Sequence, residues 1–136
     1  MPPPMVRLAP DRDRTHSDEG VSMSIHDLEI VATDADATCE LYSAMHGMSF
    51  GTRESSLGGA RTVRLPSGTL LGVREPLNEG ERPVSRPYVL VEDIEGSVAA
   101  AERSGAEITL PPTRIPGQGT CAIIYHSGVE LGLWEL

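Results

Sequence analysis

Two carboxylates stand two residues apart at Asp27 and Glu29. On a β-strand that spacing points both side chains to one face. Paired carboxylates drive their pKa values apart and can act as general acid and general base. Arg74 and Arg86 can clamp a carboxylate or phosphate by paired hydrogen bonds; they can equally pair with Asp27 and Glu29. Tyr88 and Trp134 suit stacking on a planar ligand, and equally suit filling a core. Glu130 alternates onto the same face as Trp134. The run Pro111–Gly119 (PPTRIPGQG) reads either as a pocket lip, with Arg114 or Gln118 toward a ligand, or as an ordinary strand connection. No nucleophile stands out: Cys39 falls on a helix, Cys121 on a strand edge, and there is no Gly-x-Ser-x-Gly elbow.

Composition removes several alternatives. All eleven basic residues are arginine, so a Schiff-base lysine, a pyridoxal-phosphate site and a P-loop are excluded. The net charge of −9 argues against nucleic acid as a partner, because phosphate binding needs basic patches. Two cysteines outside any Cys-x-x-Cys read as buried thiols rather than a disulfide framework or zinc cage. No stretch approaches the ~20 apolar residues of a membrane span. Met1–Met5 lacks the pattern of a signal peptide, so the expected location is the cytoplasm.

These residues need elements to hold them. The 136 residues suit one domain with a real core. Residues 1–23, with three consecutive prolines and mixed charges, read as a disordered tail, and Met23 is a candidate alternative start. From residue 24 the pattern becomes regular. The run 26–33 reads as a strand, Asp34 as the cap of a helix to His46, and Gly47 as its stop. Strands are expected near 49–55, 59–66 and 69–75, then a polar linker over 77–85. The order then restarts: a strand over 86–92, a helix capped by Asp93 and ended by Gly105, and strands near 106–110, 120–126 and 129–135.

The restart is a repeat. Asp34 and Asp93 are 59 residues apart, and the hairpins Ser67–Pro76 and Ser127–Leu136 share five of ten residues at an offset of 60. Two βαβββ modules, 24–76 and 86–136, follow. Leu28, Ile30, Leu71, Val73, Pro87, Val89, Val91, Leu131 and Leu133 form an apolar face for the helices. Those helices should cover it with Ala37, Leu41, Ala44 and Met45 from one and Ile94, Val98 and Ala101 from the other. The opposite face carries Asp27, Glu29, Val31, Leu70, Gly72, Arg74, Arg86, Tyr88, Leu90, Glu130, Gly132 and Trp134. Leaving Tyr88 and Trp134 on an open sheet is costly, so this face is expected to line a concave, small-molecule pocket.

Tandem βαβββ modules of this order and spacing resemble the vicinal oxygen chelate superfamily, which includes glyoxalase I, bleomycin-resistance proteins and extradiol dioxygenases. The resemblance covers residues 24–136. Its carriers are EIVATDADATCELYSAMHGMSF, YVLVEDIEGSVAAAERSGAEI and the closing SGVELGLWEL, the last similar to an actinobacterial glyoxalase-like, hydroxylase-type subgroup. The resemblance implies an α+β fold, a curved mixed sheet, and a homodimer. It also implies four metal-ligand positions, which fall here on Asp27, Gly72, Arg86 and Gly132. Glycine offers no ligand atom and arginine only donors; moving His26 into the first position leaves the others empty. The expectation is therefore no metal and no cofactor. Three functions follow: a metal-free protein that binds a small planar or acidic metabolite; a metal-independent isomerase, cyclase or hydroxylase-type enzyme with Glu29 or Asp27 as base; or, against the ligand count, a metal-dependent glyoxalase or dioxygenase. Glu29 matches an acidic position common in the subgroup, which favours it over Asp27 as the functional carboxylate.

Overall fold

The structure, a computed structural model, describes residues 23–136; the tail expected over 1–23 lies outside the described residues apart from Met23. Each half repeats strand, helix and three strands. The first contains β1 (Ile25–Val31), α1 (Ala35–His46), β2 (Arg53–Glu54), β3 (Ala60–Arg64) and β4 (Leu70–Arg74). The second contains β5 (Val84–Leu90), α2 (Ile94–Arg103), β6 (Glu107–Ile115), β7 (Gly119–His126) and β8 (Val129–Glu135). One eight-stranded sheet results, in the order β2-β3-β4-β1-β5-β8-β7-β6. Among the described residues no helix is long and apolar enough to cross a membrane.

Both helices start as the aspartates dictate. The Asp34 carboxylate accepts from the Ala37 N–H at 3.0 Å and the Asp93 carboxylate from the Gly96 N–H at 3.1 Å, which satisfies amides the helix itself cannot. A second cap was hidden in the hairpin overlay. The shared Glu75 and Glu135 accept from the first helical amides, Ala35 N–H at 2.7 Å and Ile94 N–H at 2.8 Å. Each module thus ties the end of its last strand to the start of its helix.

The sheet halves meet where β1 pairs antiparallel with β5, with Asp27 opposite Tyr88 and Glu29 opposite Arg86. In the parallel pairs, Glu29 lies beside Gly72 and Tyr88 beside Gly132. One sheet face meets the helices through two apolar clusters, Val89–Ile94–Ala122–Leu133 and Ala35–Cys39–Val73. Core burial of this kind contributes about 25 cal/mol per Å² of apolar surface.

Three expectations need correction. The α1 stripe is Ala35, Cys39 and Tyr42, while the expected Leu41 and Met45 are 54% and 60% exposed. Helical spacing allowed both stripes, and docking on the sheet selected the one that starts at the cap. The strand expected near 49–55 shrinks to Arg53–Glu54, followed by a 3₁₀ turn over Ser55–Leu57. The expected loop after residue 110 is instead a continuation of β6 through Pro111 and Pro112 to Ile115, with two register shifts. An edge strand tolerates prolines because it lacks a ladder partner on one side.

Candidate functional site

The face away from the helices holds a cavity of about 570 Å³. Its position follows from alternation: Asp27 and Glu29 on β1, Gly72 and Arg74 on β4, Arg86 and Tyr88 on β5 and Trp134 on β8 all point into it. Leu57, from the 3₁₀ turn, and Leu110, Ile115 and Ile123, from β6 and β7, form apolar walls. The linker between modules closes one side with Leu77, Asn78, Gly80 and Glu81.

The polar floor is a chain of alternating charges. Glu29 accepts from Arg74 Nε at 2.9 Å, from the Tyr88 hydroxyl at 2.9 Å and from Arg86 Nη1. Arg74 donates from Nη1 and Nη2 to the two oxygens of Glu81, both at 2.7 Å. Arg86 donates from Nε at 3.1 Å and Nη2 at 2.9 Å to one oxygen of Glu130. The order is Glu81–Arg74–Glu29–Arg86–Glu130. Both guanidinium groups are 7% exposed, and buried charges persist only when paired in this way.

The neighbours set the protonation states. The Glu81 carboxyl is held down to about 2, chiefly by its hydrogen bonds from Arg74. Arg74 is held charged above its ordinary range, first by Glu81. Burial opposes the charge of Arg86, but Tyr88, Glu130 and Glu29 outweigh it. Burial and then the charge of Glu29 push the Tyr88 hydroxyl up, so it stays a donor.

Asp27 behaves differently. It is 8% exposed, it lines the cavity, and among the described residues nothing hydrogen-bonds to its Oδ1. Burial, followed by repulsion from Glu29 and partly relieved by Arg64, raises its pKa to about 7. Glu29 thus pairs with both arginines and Asp27 with neither. Three donors engage both oxygens of Glu29, the carboxylate favoured from the sequence, and Asp27 is the one left without a partner at Oδ1 among the described residues.

The aromatic residues form one wall. Tyr88 and Trp134 meet edge to face, with ring centroids 5.6 Å apart, a favoured aromatic geometry. His26 sits at a β1 bulge and lies 5.3 Å from the Trp134 ring; burial and Arg64 lower its pKa. The Trp134 indole N–H donates to the Gln118 carbonyl at 3.1 Å, so the ring presents the cavity with apolar surface only. Gly119, at φ +133°, permits this approach; a β-carbon there would lie 2.7 Å from the indole nitrogen.

Of the residues singled out in the sequence, Asp27, Glu29, Arg74, Arg86, Tyr88 and Trp134 converge here. Glu130 does not line the cavity; it supports Arg86 from beside it. Arg114 is corrected: it is exposed on edge strand β6, opposite Thr120, and its neighbour Ile115 faces the cavity. Glu81 escaped the sequence reading. The only signal for it was the acidic character of the adjacent linker, and the carboxylates already on the inward face were enough to balance both arginines on paper.

The four positions implied for a metal hold Asp27, Gly72, Arg86 and Gly132. Arg86 brings a cation, and the ring of Tyr88 fills the space before Gly132, where a β-carbon would meet Tyr88 Cδ2 at 2.2 Å. Among the described residues no three His, Cys, Asp or Glu side chains converge as a metal centre would need.

No protein-family model and no curated protein matches the chain. Solved structures do match. A hypothetical protein from Bacillus halodurans C-125 superposes with a TM-score of 0.68 at 16% identity, covering 85% of this chain and 95% of that one. Methylmalonyl-CoA epimerase from Mycobacterium tuberculosis gives 0.65 at 19% identity, covering 82% and 86%. A Streptomyces coelicolor methylmalonyl-CoA epimerase variant in complex with 2-nitronate-propionyl-CoA gives 0.63 at 19%, covering 84% and 98%. The chain has the vicinal oxygen chelate fold.

Proposed function

We propose that this protein binds a small, largely apolar organic molecule in its concave pocket, without a metal ion. One observation carries the reading. A cavity of about 570 Å³ has hydrocarbon and aromatic walls and, at its floor, a buried carboxyl with an unused hydrogen-bonding oxygen. Apolar walls with a few convergent polar groups are the usual composition of a ligand site. The donor set at the four chelate positions supports the metal-free part, since neither glycine nor an arginine holds a cation. A solved neighbour in complex with 2-nitronate-propionyl-CoA adds that a protein of this fold binds an organic molecule, of a different chemical class. The planar ligand expected from the sequence suits the Tyr88–Trp134 wall; the acidic one does not suit a floor whose arginines are already paired.

Trp134, the chain's single tryptophan, reports directly on occupancy. A panel of apolar metabolites is titrated into the protein while Trp134 emission is followed, and hits are confirmed by native mass spectrometry. Saturable shifts that disappear in Gly72→Leu, which projects a side chain into the cavity, support the reading. Binding that survives that block places the ligand elsewhere and ends the proposal.

Asp27 gives a second reading some support. A carboxyl near 7 is poised for proton transfer at neutral pH, so a bound molecule recovered chemically altered, with Asp27→Asn abolishing the change, would make the protein a metal-independent enzyme.

A further inference from the structure

We propose that the pocket selects a ligand bearing a basic nitrogen, an amine or a protonated heterocycle, which docks on Asp27, and that it disfavours anions. The proposal rests on the small-molecule reading above and supplies its chemical class.

The hydrogen-bond inventory points this way. Arg74 gives Nε to Glu29 and both terminal nitrogens to Glu81. Arg86 gives Nε and Nη2 to Glu130 and Nη1 to Glu29. Each guanidinium keeps at most one N–H over, on Nη2, so an incoming carboxylate could take either arginine by paired hydrogen bonds only by displacing one of these acids and stranding its charge. The charges agree. Of the residues that line the cavity, Asp27, Glu29 and Glu81 contribute three negative charges when ionised and Arg74 and Arg86 two positive, a surplus of one negative, and Glu130 beside the cavity adds another behind Arg86.

Asp27 lacks what the others have. Its Oδ1 is buried and has no donor among the described residues, and a buried polar atom without a partner is costly. Arg64, which acts on it through space, donates its Nη1 to the Gly68 carbonyl at 2.8 Å. His26, whose pKa is lowered, brings no positive charge. A ligand N–H supplies the missing donor, and an ammonium also neutralises the carboxylate. Beside Asp27 in the sheet stand Leu70 and Tyr88, with Trp134 in contact with Tyr88. Aromatic rings attract a desolvated cation, and Leu70 accepts the hydrocarbon that carries it.

Three probes of one shape isolate the head group: 4-phenylbutylamine, 4-phenylbutanol and 4-phenylbutyrate. Each is titrated into the full chain at pH 8, read by Trp134 emission and by NMR saturation transfer. The amine is expected to bind at least about tenfold more tightly than the butyrate, and Asp27→Asn to erase its advantage over the alcohol. Glu81→Gln, which withdraws a carboxylate from Arg74, is expected to raise butyrate affinity at least about threefold. A butyrate that binds as well as the amine, an amine advantage that survives Asp27→Asn, or an unchanged butyrate affinity in Glu81→Gln overturns the assignment. If the alcohol binds and the amine gains nothing, Asp27 docking alone fails. If none of the three binds, the small-molecule reading fails with it.

Discussion

The ring of Tyr88 lies directly over Gly132, so close that a β-carbon on that glycine would fall 2.2 Å from Cδ2 and 2.5 Å from Cε2. Its counterpart in the first module, Gly72, has only ordinary contacts, with the Ala60 and Thr62 side chains at 3.6 Å. Equivalent glycines therefore do different work. Gly132 makes room for an aromatic ring; Gly72 leaves cavity.

This asymmetry is measurable. Gly132→Ala forces the buried Tyr88 ring aside and is expected to cost about 1–3 kcal/mol, the usual range for overpacking. Gly72→Ala is expected to stay within about 1 kcal/mol of wild type. Urea unfolding of the two variants gives the comparison, and equal losses would contradict the Tyr88–Gly132 packing.

The charge chain should be intolerant of single deletions. Arg86→Leu leaves Glu29 and Glu130 without their shared partner, and Glu29→Leu leaves both guanidinium groups facing each other across the floor. Each is expected to cost about 3–5 kcal/mol, as for a buried pair broken on one side. The double variant should cost less than the sum, because residues in one network do not add. Additive losses in denaturant unfolding would show that the two residues act independently.

Asp27 sets a pH dependence of known sign. Its folded pKa of about 7 lies above the unfolded 3.8, so the folded chain holds this proton more tightly. The resulting stability is fully present below about pH 4 and is lost as pH rises to 7 and beyond. Asp27→Asn removes the titration. Relative to wild type, the variant should gain on the order of a few kcal/mol between pH 5 and pH 8.5. Thermal or urea unfolding at the two pH values tests this, and a constant difference would mean that Asp27 is not buried in its charged form. An amine probe should bind more tightly over the same rise, as Asp27 ionises; Glu29 and Tyr88 beside it, and Arg64 and Cys121 nearby, are the groups whose variants would shift that midpoint.

Divalent ions should do little. A bound ion stabilises a folded chain by mass action, so zinc, manganese or nickel at several times protein concentration should leave the melting temperature within about 1 °C, and chelator dialysis should change nothing. A saturable rise would place donors at the chelate positions other than those described.

Much of this was legible in the chain. The repeat followed from the two helix-capping aspartates and the paired Ser-Gly hairpins, and strict strand alternation put Asp27, Glu29, Arg74, Arg86, Tyr88 and Trp134 on one face. These are local signals: a cap needs only its own turn, and alternation needs only the strand. The capping role of Glu75 and Glu135 was present as a coincidence in the overlay but lacked a reason until the strand end met the helix start. The α1 stripe was misread because residues 37, 41, 44 and 45 and residues 35, 39 and 42 both fit helical spacing.

The sequence by itself determined the modules, the orientation of their inward residues and the exclusion of lysine chemistry, since these depend on covalent order and short-range geometry. Which carboxylate is available was decided only in three dimensions. Asp27 and Glu29 are indistinguishable by type and spacing. Glu29 lies between two arginines and below a tyrosine hydroxyl, while Asp27 lies between Leu70 and Tyr88. Hydrogen-bond donors drawn from β4 and β5 engage both oxygens of the first, while among the described residues the second has no donor to its Oδ1, and no local pattern encodes that difference.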